Sequence, residues 1–464
     1  MQASKLQLEV KGQEDTYLSI QPTNSLFQSV YNRLTNFAQD THIVQPLAGH
    51  LSCNSRIEFR IPRYGDLLSN MYLNLKLSLE TEMTDLAWVN SIGFALINSV
   101  DLMVGNNVIT SITGKELDIW SEMLPCDKRY GVYRMVGKMD SDMYNDALMS
   151  SFERRRHDLN LTIPIPFWFT KHISCAFPMF LLKSETLRVT VNLNPIENCI
   201  ISKDVFSEFT YEHKLSAMMY FHYIVLDSNE LSQLKKSKTK NRIIIEQTQI
   251  QDIVVPNNAN AYKFKLDFDH PIKELKWVVQ RNDRNETKQD TGCVSGGVSG
   301  GVSRSVSRSD SRGDSRGGLP FEDSTNDQLG LTYYGNDEFN YNSYLNYHQP
   351  LSDTIQQDCD ESHLFSYARL YFNNNPRTSK LPADYYRYIQ PLQHHQVIPG
   401  KNIYCYNFGI NADHFQPNGY CNFSPMSSIQ MEFHFNNTTP KIISIFGHSY
   451  NLLIFDRGAV RLCF

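Results

Sequence analysis

The sequence predicts an all-β chain built from two successive domains, and three observations support this prediction. The length of 464 residues corresponds to two domains of roughly 200 residues each. Aromatic residues make up 12% of the chain and charged residues only 20%, a balance typical of strand-rich proteins. Most of the chain consists of short alternating or apolar runs separated by turn residues, as in a β-sandwich or barrel.

The strand prediction depends mainly on runs in which every second side chain is apolar. In such a run one face can be buried while the other stays in water. The clearest examples are residues 57–61, 71–77, 187–193, 262–268 and 429–435. Helical patterns are few, and the best candidates are residues 24–40 and 114–124. We therefore expect strands to dominate both halves, with few short helices.

The two halves present similar elements in the same order. The matching pairs are Phe59 with Phe268, residues 71–77 with 272–279, the turn Gly105-Asn-Asn with the turn Asn373-Asn-Asn, residues 163–169 with 404–410, and residues 187–193 with 429–435. The order is kept while the spacing differs. We interpret this as a duplicated β domain with divergent loops; the alternative is chance, because short alternating strands match one another easily.

A polar, basic segment lies between the halves and reads Lys235-Lys-Ser-Lys-Thr-Lys-Asn-Arg242. We interpret it as a solvated domain linker, although such a basic run could also contact nucleic acid or an anionic membrane surface. The resulting domain organisation is an N-terminal arm (residues 1–40), a first domain (41–234), the linker (235–242) and a second domain (243–464).

Residues 294–317 form a low-complexity segment of four-residue units, in which Val-Ser-Gly-Gly, Val-Ser-Arg-Ser and Asp-Ser-Arg-Gly each occur twice. A Gly/Ser-rich string buries too little apolar area to offset its ordering entropy, so we predict a long, flexible, exposed loop inside the second domain. It contains Arg312, Gly313 and Asp314, an integrin-type tripeptide. The local repeat also produces this tripeptide by accident, and we favour that explanation over receptor binding.

Charge and cysteine content narrow the function classes. The net charge is −5 and the pI is near 6.3, so composition gives no basic field for binding DNA, and we expect no sequence-specific nucleic-acid partner. The nine cysteines are scattered and contain no Cys-x-x-Cys pair, which argues against a disulfide framework and a structural zinc site. We expect a soluble protein of a reducing compartment, without a signal peptide or membrane span.

Catalytic motifs are missing from the sequence, including the phosphate-binding loop, His-Glu-x-x-His, Gly-x-Ser-x-Gly and the dinucleotide fingerprint. His394 and His395, and the segment from Cys359 to His363, contain residue types that bind metals. Adjacent histidines on a strand point to opposite faces, and neither group has a second, correctly spaced set of ligands. We therefore expect structural roles for both groups and predict a non-enzyme without catalytic residues, cofactor or metal.

Several blocks carry a family resemblance. They include Phe27-Gln-Ser-Val-Tyr-Asn-Arg-Leu-Thr-Asn-Phe37, Ile92-Gly-Phe-Ala-Leu-Ile-Asn-Ser-Val100, Ile163-Pro-Ile-Pro-Phe-Trp-Phe169, His270-Pro-Ile-Lys-Glu-Leu-Lys-Trp-Val-Val279 and Gln416-Pro-Asn-Gly-Tyr-Cys-Asn-Phe-Ser424. In these blocks the chain resembles the major capsid proteins of the nucleocytoplasmic large DNA viruses, over nearly its whole length. It departs from the family pattern in the repeat loop and at Pro425 and Met426.

The resemblance implies a double jelly roll, that is, two consecutive eight-stranded jelly-roll barrels. It also implies homotrimers of pseudo-hexagonal outline that build an icosahedral capsid around an internal membrane, assembly in the host cytoplasm, and minor capsid and penton proteins as partners. Residues 27–37 would form an inward-facing amphipathic helix near the membrane. Two alternatives stay open: a membrane-associated assembly scaffold of the same fold, and a lectin-like β protein, for which the sequence offers no grouping of paired acids and exposed aromatics.

Overall fold

The computed structural model describes most of the chain outside one long stretch in the second half. The described residues are 2–10, 31–47, 51–81, 86–139, 158–183, 185–202, 211–236, 242–256, 258–281, 363–436, 441–456 and 459–463, together with 12, 13, 21, 25, 27–29, 334, 335, 339 and 341.

Strands dominate this part of the chain. They are β1 (Phe37–Val44), β2 (Arg56–Arg60), β3 (Leu67–Thr81), β4 (Leu86–Trp88), β5 (Ile97–Val104), β6 (Asn107–Thr113), β7 (Leu159–Pro164), β8 (Phe177–Pro178), β9 (Leu187–Leu193), β10 (Ile200–Ser202), β11 (Tyr211–Leu226), β12 (Arg242–Val255), β13 (Ala261–Lys265), β14 (Pro271–Arg281), β15 (Tyr334–Gly335), β16 (Phe365–Phe372), β17 (Asn375–Pro376), β18 (Leu381–Pro382), β19 (Tyr404–Asn407), β20 (Cys421–Asn422), β21 (Ile429–Phe435), β22 (Lys441–Asp456) and β23 (Ala459–Leu462).

The helices are short. The α-helices are α1 (Gln2–Glu9), α2 (Ile92–Ala95), α3 (Gly114–Glu122), α4 (Cys126–Val136), α5 (Ser228–Lys236) and α6 (Gln390–His394). Within the described residues, 3₁₀ turns (Trp168–Thr170, Ile173–Cys175, Met179–Leu181, Ile196–Cys199) and a π-helical turn (Tyr385–Ile389) connect strands.

The sheet order is the same in the two halves. In the first half, one sheet has the order β1-β11-β3-β7 and the other β2-β9-β5-β6; in the second half the orders are β12-β22-β14-β19 and β13-β21-β16-β17. All of these pairings are antiparallel. Short strands are added to three of these sheets: β8 pairs with β3, β20 with β14, β23 with β22 and β18 with β16. Two sheets with four principal strands each in this arrangement make a jelly roll, so the chain is a double jelly roll, as the resemblance implied.

The predicted duplication is therefore confirmed. Of the matched runs, residues 71–77 lie in β3 and 272–279 in β14, which hold equivalent sheet positions, and residues 187–193 and 429–435 are β9 and β21 with the predicted bounds. The two matched turns are equivalent two-residue hairpins. Gly105 (φ 60°) follows β5, and Asn373 (φ 48°) follows β16, because tight hairpins require residues that tolerate positive φ.

Each roll closes on alternate side chains of its strands. Leu73, Leu75 and Leu77 of β3 are fully buried in the first core, and Leu275 and Trp277 of β14 are fully buried in the second. The predicted helix at residues 114–124 is also confirmed as α3, whose first turn is capped by the side chain of Thr113.

The helix predicted over residues 24–40, including the inward-facing helix at 27–37, is wrong. Residues 31–36 have no regular structure, and Phe37–Val44 is a strand paired with β11 along its whole length. Phe27, Tyr31 and Leu34 are 100%, 87% and 85% exposed, so a helix here would have no apolar surface to pack on in this chain. The open edge of β11 instead offers eight residues of strand pairing.

The predicted domain boundaries stay predictions, and two of them fall near elements of the structure. Strand β1 begins at Phe37, and helix α5 ends at Lys236, just before β12 begins at Arg242. The low-complexity segment 294–317 lies outside the described residues. In the same long connection, β15 pairs with β10 of the first roll, and Phe339 and Tyr341 are buried in the first core.

Candidate assembly surfaces

The motifs that carried candidate chemistry fall at different places. Residues 312–314 and Cys359 lie outside the described part of the chain. His363 has Nδ1 2.9 Å from the Tyr404 hydroxyl and Nε2 2.7 Å from Asp384 Oδ1. Burial lowers the pKa of His363 more than Asp384 raises it. The structural role expected for this histidine stays a prediction.

The adjacent histidines have different surroundings. His394 Nδ1 lies 3.0 Å from the carbonyl oxygen of Ile410. The buried ring of His395 lies between two carboxylates, with Nε2 2.5 Å from Glu274 Oε1 and Nδ1 2.9 Å from Asp413 Oδ1. Burial lowers the pKa of His395, but the charge of Glu274 outweighs it, and the pKa is raised to about 11. In this arrangement His395 and Glu274 form a buried ion pair.

The two rolls are joined first by apolar packing. One hydrophobic cluster contains the core of the first roll together with buried residues of the second, among them Ile245, Phe446 and Phe455. The rings of Phe177 in the first roll and Phe455 in the second lie 5.9 Å apart. Because burial of such side chains is the main favourable term in folding, the contact between the rolls is part of the stable core.

A partly buried ion triad also bridges the rolls. Glu246 on β12 accepts from Lys171 of the first roll, and its Oε2 lies 2.7 Å from Lys273 Nζ. Burial raises the pKa of Glu246, but the two ammonium charges outweigh it and hold the pKa at about 2. Glu246 is therefore ionised over the physiological pH range and ties β12 to the first roll.

A second charged cluster joins the helices of the first roll to the second roll. Lys138 Nζ lies 2.7 Å from both Asp118 Oδ1 and Glu122 Oε1, and Lys401 of the second roll lies 2.8 Å from Asp118 Oδ2. Burial raises the pKa of Asp118, but the charges of Lys138 and Lys401 hold it below its ordinary value. Tyr133 adds a hydrogen bond to Glu122 at 2.9 Å.

A third contact places a carboxyl group in an unfavourable environment. The Thr248 hydroxyl of β12 donates to Glu116 Oε1 of α3 at 2.6 Å and lies 3.1 Å from His448 Nδ1. Burial raises the pKa of Glu116 to about 7. Burial and the nearby charge of Lys276 hold the pKa of His448 well below its usual range. At mildly acidic pH both Glu116 and His448 are therefore uncharged, and the two rolls meet here through hydrogen bonds between neutral groups.

Sequence reasoning missed these inter-roll residues. Lys171, Glu246 and Lys401 are single charged residues among apolar or turn residues, and a pattern cannot distinguish a charge that faces water from one that faces a second domain. The sequence contains one weak sign of a charge that faces another domain: Glu246 directly follows three isoleucines at the start of a strand.

Exposed large apolar side chains occur along much of the described chain, and two sets of them bear on assembly. The first set lies at the N-terminus and contains Leu6, Leu8, Val10, Phe27, Tyr31 and Leu34. The second set lies between residues 388 and 420 of the second roll and contains Tyr388, Ile389, Leu392, Ile398, Ile410 and Tyr420. The segments of the second set are held together by hydrogen bonds from Ala412 to His394 and from Ile410 to Asn418. Exposed apolar groups concentrated in this way suit contact with another protein.

Two family models match the chain. Residues 234–460 match the large eukaryotic DNA virus major capsid protein, and residues 25–227 match the major capsid protein N-terminus. The chain belongs to this capsid protein family. Members of the family are structural capsid proteins, so the chain is a structural component of the virion capsid and not an enzyme.

Relatives and solved structures agree with this assignment. The major capsid protein of Phaeocystis pouchetii virus is 24% identical to this chain over an alignment of 523 residues, which covers 100% of both chains. That of Pyramimonas orientalis virus is 22% identical and covers 97% of this chain and 96% of the relative. The chain is similar in fold to the protein in a quasi-atomic model of the PBCV-1 virus capsid, with a TM-score of 0.68 and 17% identity over 95% of this chain and 100% of the other. It is also similar in fold to the Faustovirus major capsid protein, with a TM-score of 0.66 and 12% identity over 96% of this chain and 95% of the other.

Within the described residues, the structure contains no helix long and apolar enough to cross a membrane.

Proposed function

We propose that this capsid protein forms homotrimers of pseudo-hexagonal outline, which tile the icosahedral shell. The observation that carries the proposal is the repeated sheet order, because three subunits with two similar rolls each give six similar lobes around a three-fold axis. A hexagonal outline allows neighbouring capsomers to share edges. Function then results from interfaces, with many weak contacts between trimers acting together.

The exposed apolar residues of the second roll are the surface that fits another subunit. Leu392 and Ile410 are 71% and 77% exposed, and they lie on segments joined by backbone hydrogen bonds. A stable protein interface needs an apolar centre of this kind, which is shielded from water when the partner binds. The occupant that we propose is a second copy of this chain.

The exposed apolar residues of the N-terminus are proposed to contact the inner side of the shell. Candidate partners are minor capsid and penton proteins and the internal membrane or its proteins. Helix α1, with Leu6 and Leu8 60% and 78% exposed, lies in this segment, whereas residues 31–36 are irregular. Assembly in the host cytoplasm fits the free thiols of the seven cysteines that the structure describes.

Light scattering on the purified full-length chain tests the trimer. We expect a mass of three times 53.6 kDa, and a wild-type protein that stays monomeric would contradict the proposal. Leu392→Asp with Ile410→Asp is expected to give folded monomers, since two charges would be buried in the subunit contact. The matched control is Val108→Asp, an exposed apolar residue of the first roll (47%), which should leave trimers intact.

Detection of the protein in mature particles distinguishes the capsid subunit from an assembly scaffold of the same fold. A scaffold would be present during assembly and absent from purified virions. A capsid subunit would be the dominant protein of the virion shell.

A further inference from the structure

Three side chains of metal-ligating types meet on the face of β14 and β19 that points away from the core of the second roll. The ligand atoms of Glu274, His395 and Cys405 all lie within 4.8 Å of one another. The side chain of Glu274 is 0% exposed, that of His395 is 1% exposed, and Cys405 is 1% exposed. Carboxylate oxygen, imidazole nitrogen and thiolate sulfur are the ligand types that Zn²⁺ accepts.

The fold brings these residues together from three separate elements. In the pairing of β14 with β19, Lys276 lies opposite Cys405, and Glu274 is two residues away on the same face of the sheet. Leu275 and Trp277 alternate with them and point into the core. His395 follows α6 and covers this face, and its backbone N–H donates to the Pro391 carbonyl oxygen at 2.9 Å.

The histidine is oriented as in a metal site. Its second nitrogen, Nδ1, lies 2.9 Å from Asp413 Oδ1, and Asp413 Oδ2 accepts from the Gln396 backbone N–H at 2.8 Å. A carboxylate on the second nitrogen is the usual outer partner of a metal-bound histidine, since it fixes the ring and strengthens the ligand nitrogen. The side chain of Asp413 is 27% exposed, so this outer partner lies closer to solvent than the three ligands.

We propose that Glu274, His395 and Cys405 bind a divalent transition-metal ion of the Zn²⁺ class, with Asp413 as the outer partner of His395. Oε1 of Glu274 and Nε2 of His395 lie 2.5 Å apart, and they would separate to about 3.3 Å around a tetrahedral ion. A water molecule would fill the fourth position. The ion would cross-link β14, β19 and the segment after α6 that contains His395.

The charged groups around the site include both signs. Glu274 and Asp413 each carry one negative charge, and Lys276, with Nζ 3.1 Å from Glu274 Oε2, carries one positive charge. A divalent cation among these groups would therefore face two carboxylates as well as one ammonium group.

Cobalt substitution tests the site, because Co²⁺ bound to a thiolate has an intense charge-transfer absorption. The protein is the full-length chain without a histidine tag, titrated with Co²⁺ and then with Zn²⁺. We expect one Co²⁺ per chain and a thiolate band that Zn²⁺ abolishes. Wild-type protein without this band would overturn the proposal and leave the cluster as a buried ion pair only.

Variants assign the band to its ligand. Cys405→Ser is expected to abolish it, and the matched control Cys421→Ser, a half-buried cysteine on β20, is expected to keep it. A band that persists in Cys405→Ser would also overturn the proposal. Asp413→Asn alters only the outer partner and should weaken Co²⁺ binding roughly 10–100-fold, which provides a test in a protein with all three ligands intact.

Discussion

The two jelly rolls share a sheet order but fill their cores differently. In the first roll, Leu75 of β3 lies opposite Leu161 of β7. At the equivalent strand pair of the second roll, Trp277 of β14 lies opposite Tyr404 of β19, and their rings are 6.0 Å apart. The rings of Tyr386 and Phe433 lie 5.0 and 6.1 Å from Trp277. The same topology thus accepts an aliphatic or an aromatic core, provided that its volume is filled.

The connections differ more than the sheets. The first roll passes from β3 to β5 through residues 82–96, whereas the second passes from β14 to β16 through residues 282–364. Parts of the longer connection return to the first roll, where β15 pairs with β10 and Phe339 is buried. Strand pairing and core alternation constrain the sheets in both copies, while the connections are free to acquire new contacts.

The largest expected effect tests the difference between the cores. Trp277→Ala should lower the free energy of unfolding by about 4 kcal/mol and Leu75→Ala by about 3 kcal/mol, because both side chains are fully buried and the larger one leaves the larger cavity. Urea denaturation at fixed protein concentration measures both. Equal losses would show that the aromatic cluster collapses into the cavity and that the two cores respond alike.

The next test concerns the charges between the rolls. The pKa of Glu246 is lowered to about 2 in the folded protein against an ordinary 4.5, so its stabilisation is fully present above pH 4.5 and is lost as the pH falls through 2. Glu246→Gln should therefore lower stability by about 3 kcal/mol at pH 7, with the difference disappearing towards pH 2.

The matched control for Glu246 is Asp267→Asn. Asp267 pairs with Lys265 at 2.9 Å, but the two side chains are 66% and 59% exposed. Water screens this pair, and the loss should be at most about 0.5 kcal/mol. A similar loss for both variants would mean that the ion triad of Lys171, Glu246 and Lys273 does not hold the rolls together.

Much of the fold could be predicted from the sequence, because period-two alternation is a local signal. The bounds of Leu187–Leu193 and Ile429–Phe435 were predicted to the residue, since turn residues bracket each run. Residues 37–40, the end of the helix predicted over 24–40, belong instead to strand β1, and the prediction failed because the partner of that strand, β11, lies far along the chain. The meeting of Glu274, His395 and Cys405 was also out of reach, since strand register and the path of a loop decide it.

Substitution of Glu116 is expected to change the free energy of unfolding by less than substitution of Glu246, and in the opposite direction. Its pKa is raised to about 7 in the folded protein, so protonation favours folding below pH 4.5, and this advantage is lost as the pH rises through 7. Glu116→Gln keeps an oxygen to accept from Thr248 and removes the buried charge. We expect the variant to be more stable than wild type by about 1–2 kcal/mol at pH 8 and equal to it at pH 4. Thermal melts across this range measure the difference, and a destabilised variant at pH 8 would contradict the assignment.

The smallest effect is expected from the segment that most distinguishes the second roll. Deletion of residues 294–317 should change the free energy of unfolding by less than about 0.5 kcal/mol, because the segment is mainly Gly, Ser, Arg and Asp and has few apolar side chains to bury. Trimer mass and urea midpoint should match those of the wild type. The control is the double substitution Phe339→Ala with Tyr341→Ala, which removes the contact of this connection with the first roll. It should lower the free energy of unfolding by several kcal/mol, because both side chains are buried there. If the two changes were equally harmful, the low-complexity repeats would belong to the structural core, and the rule that only the connections diverge freely would fail in the second roll.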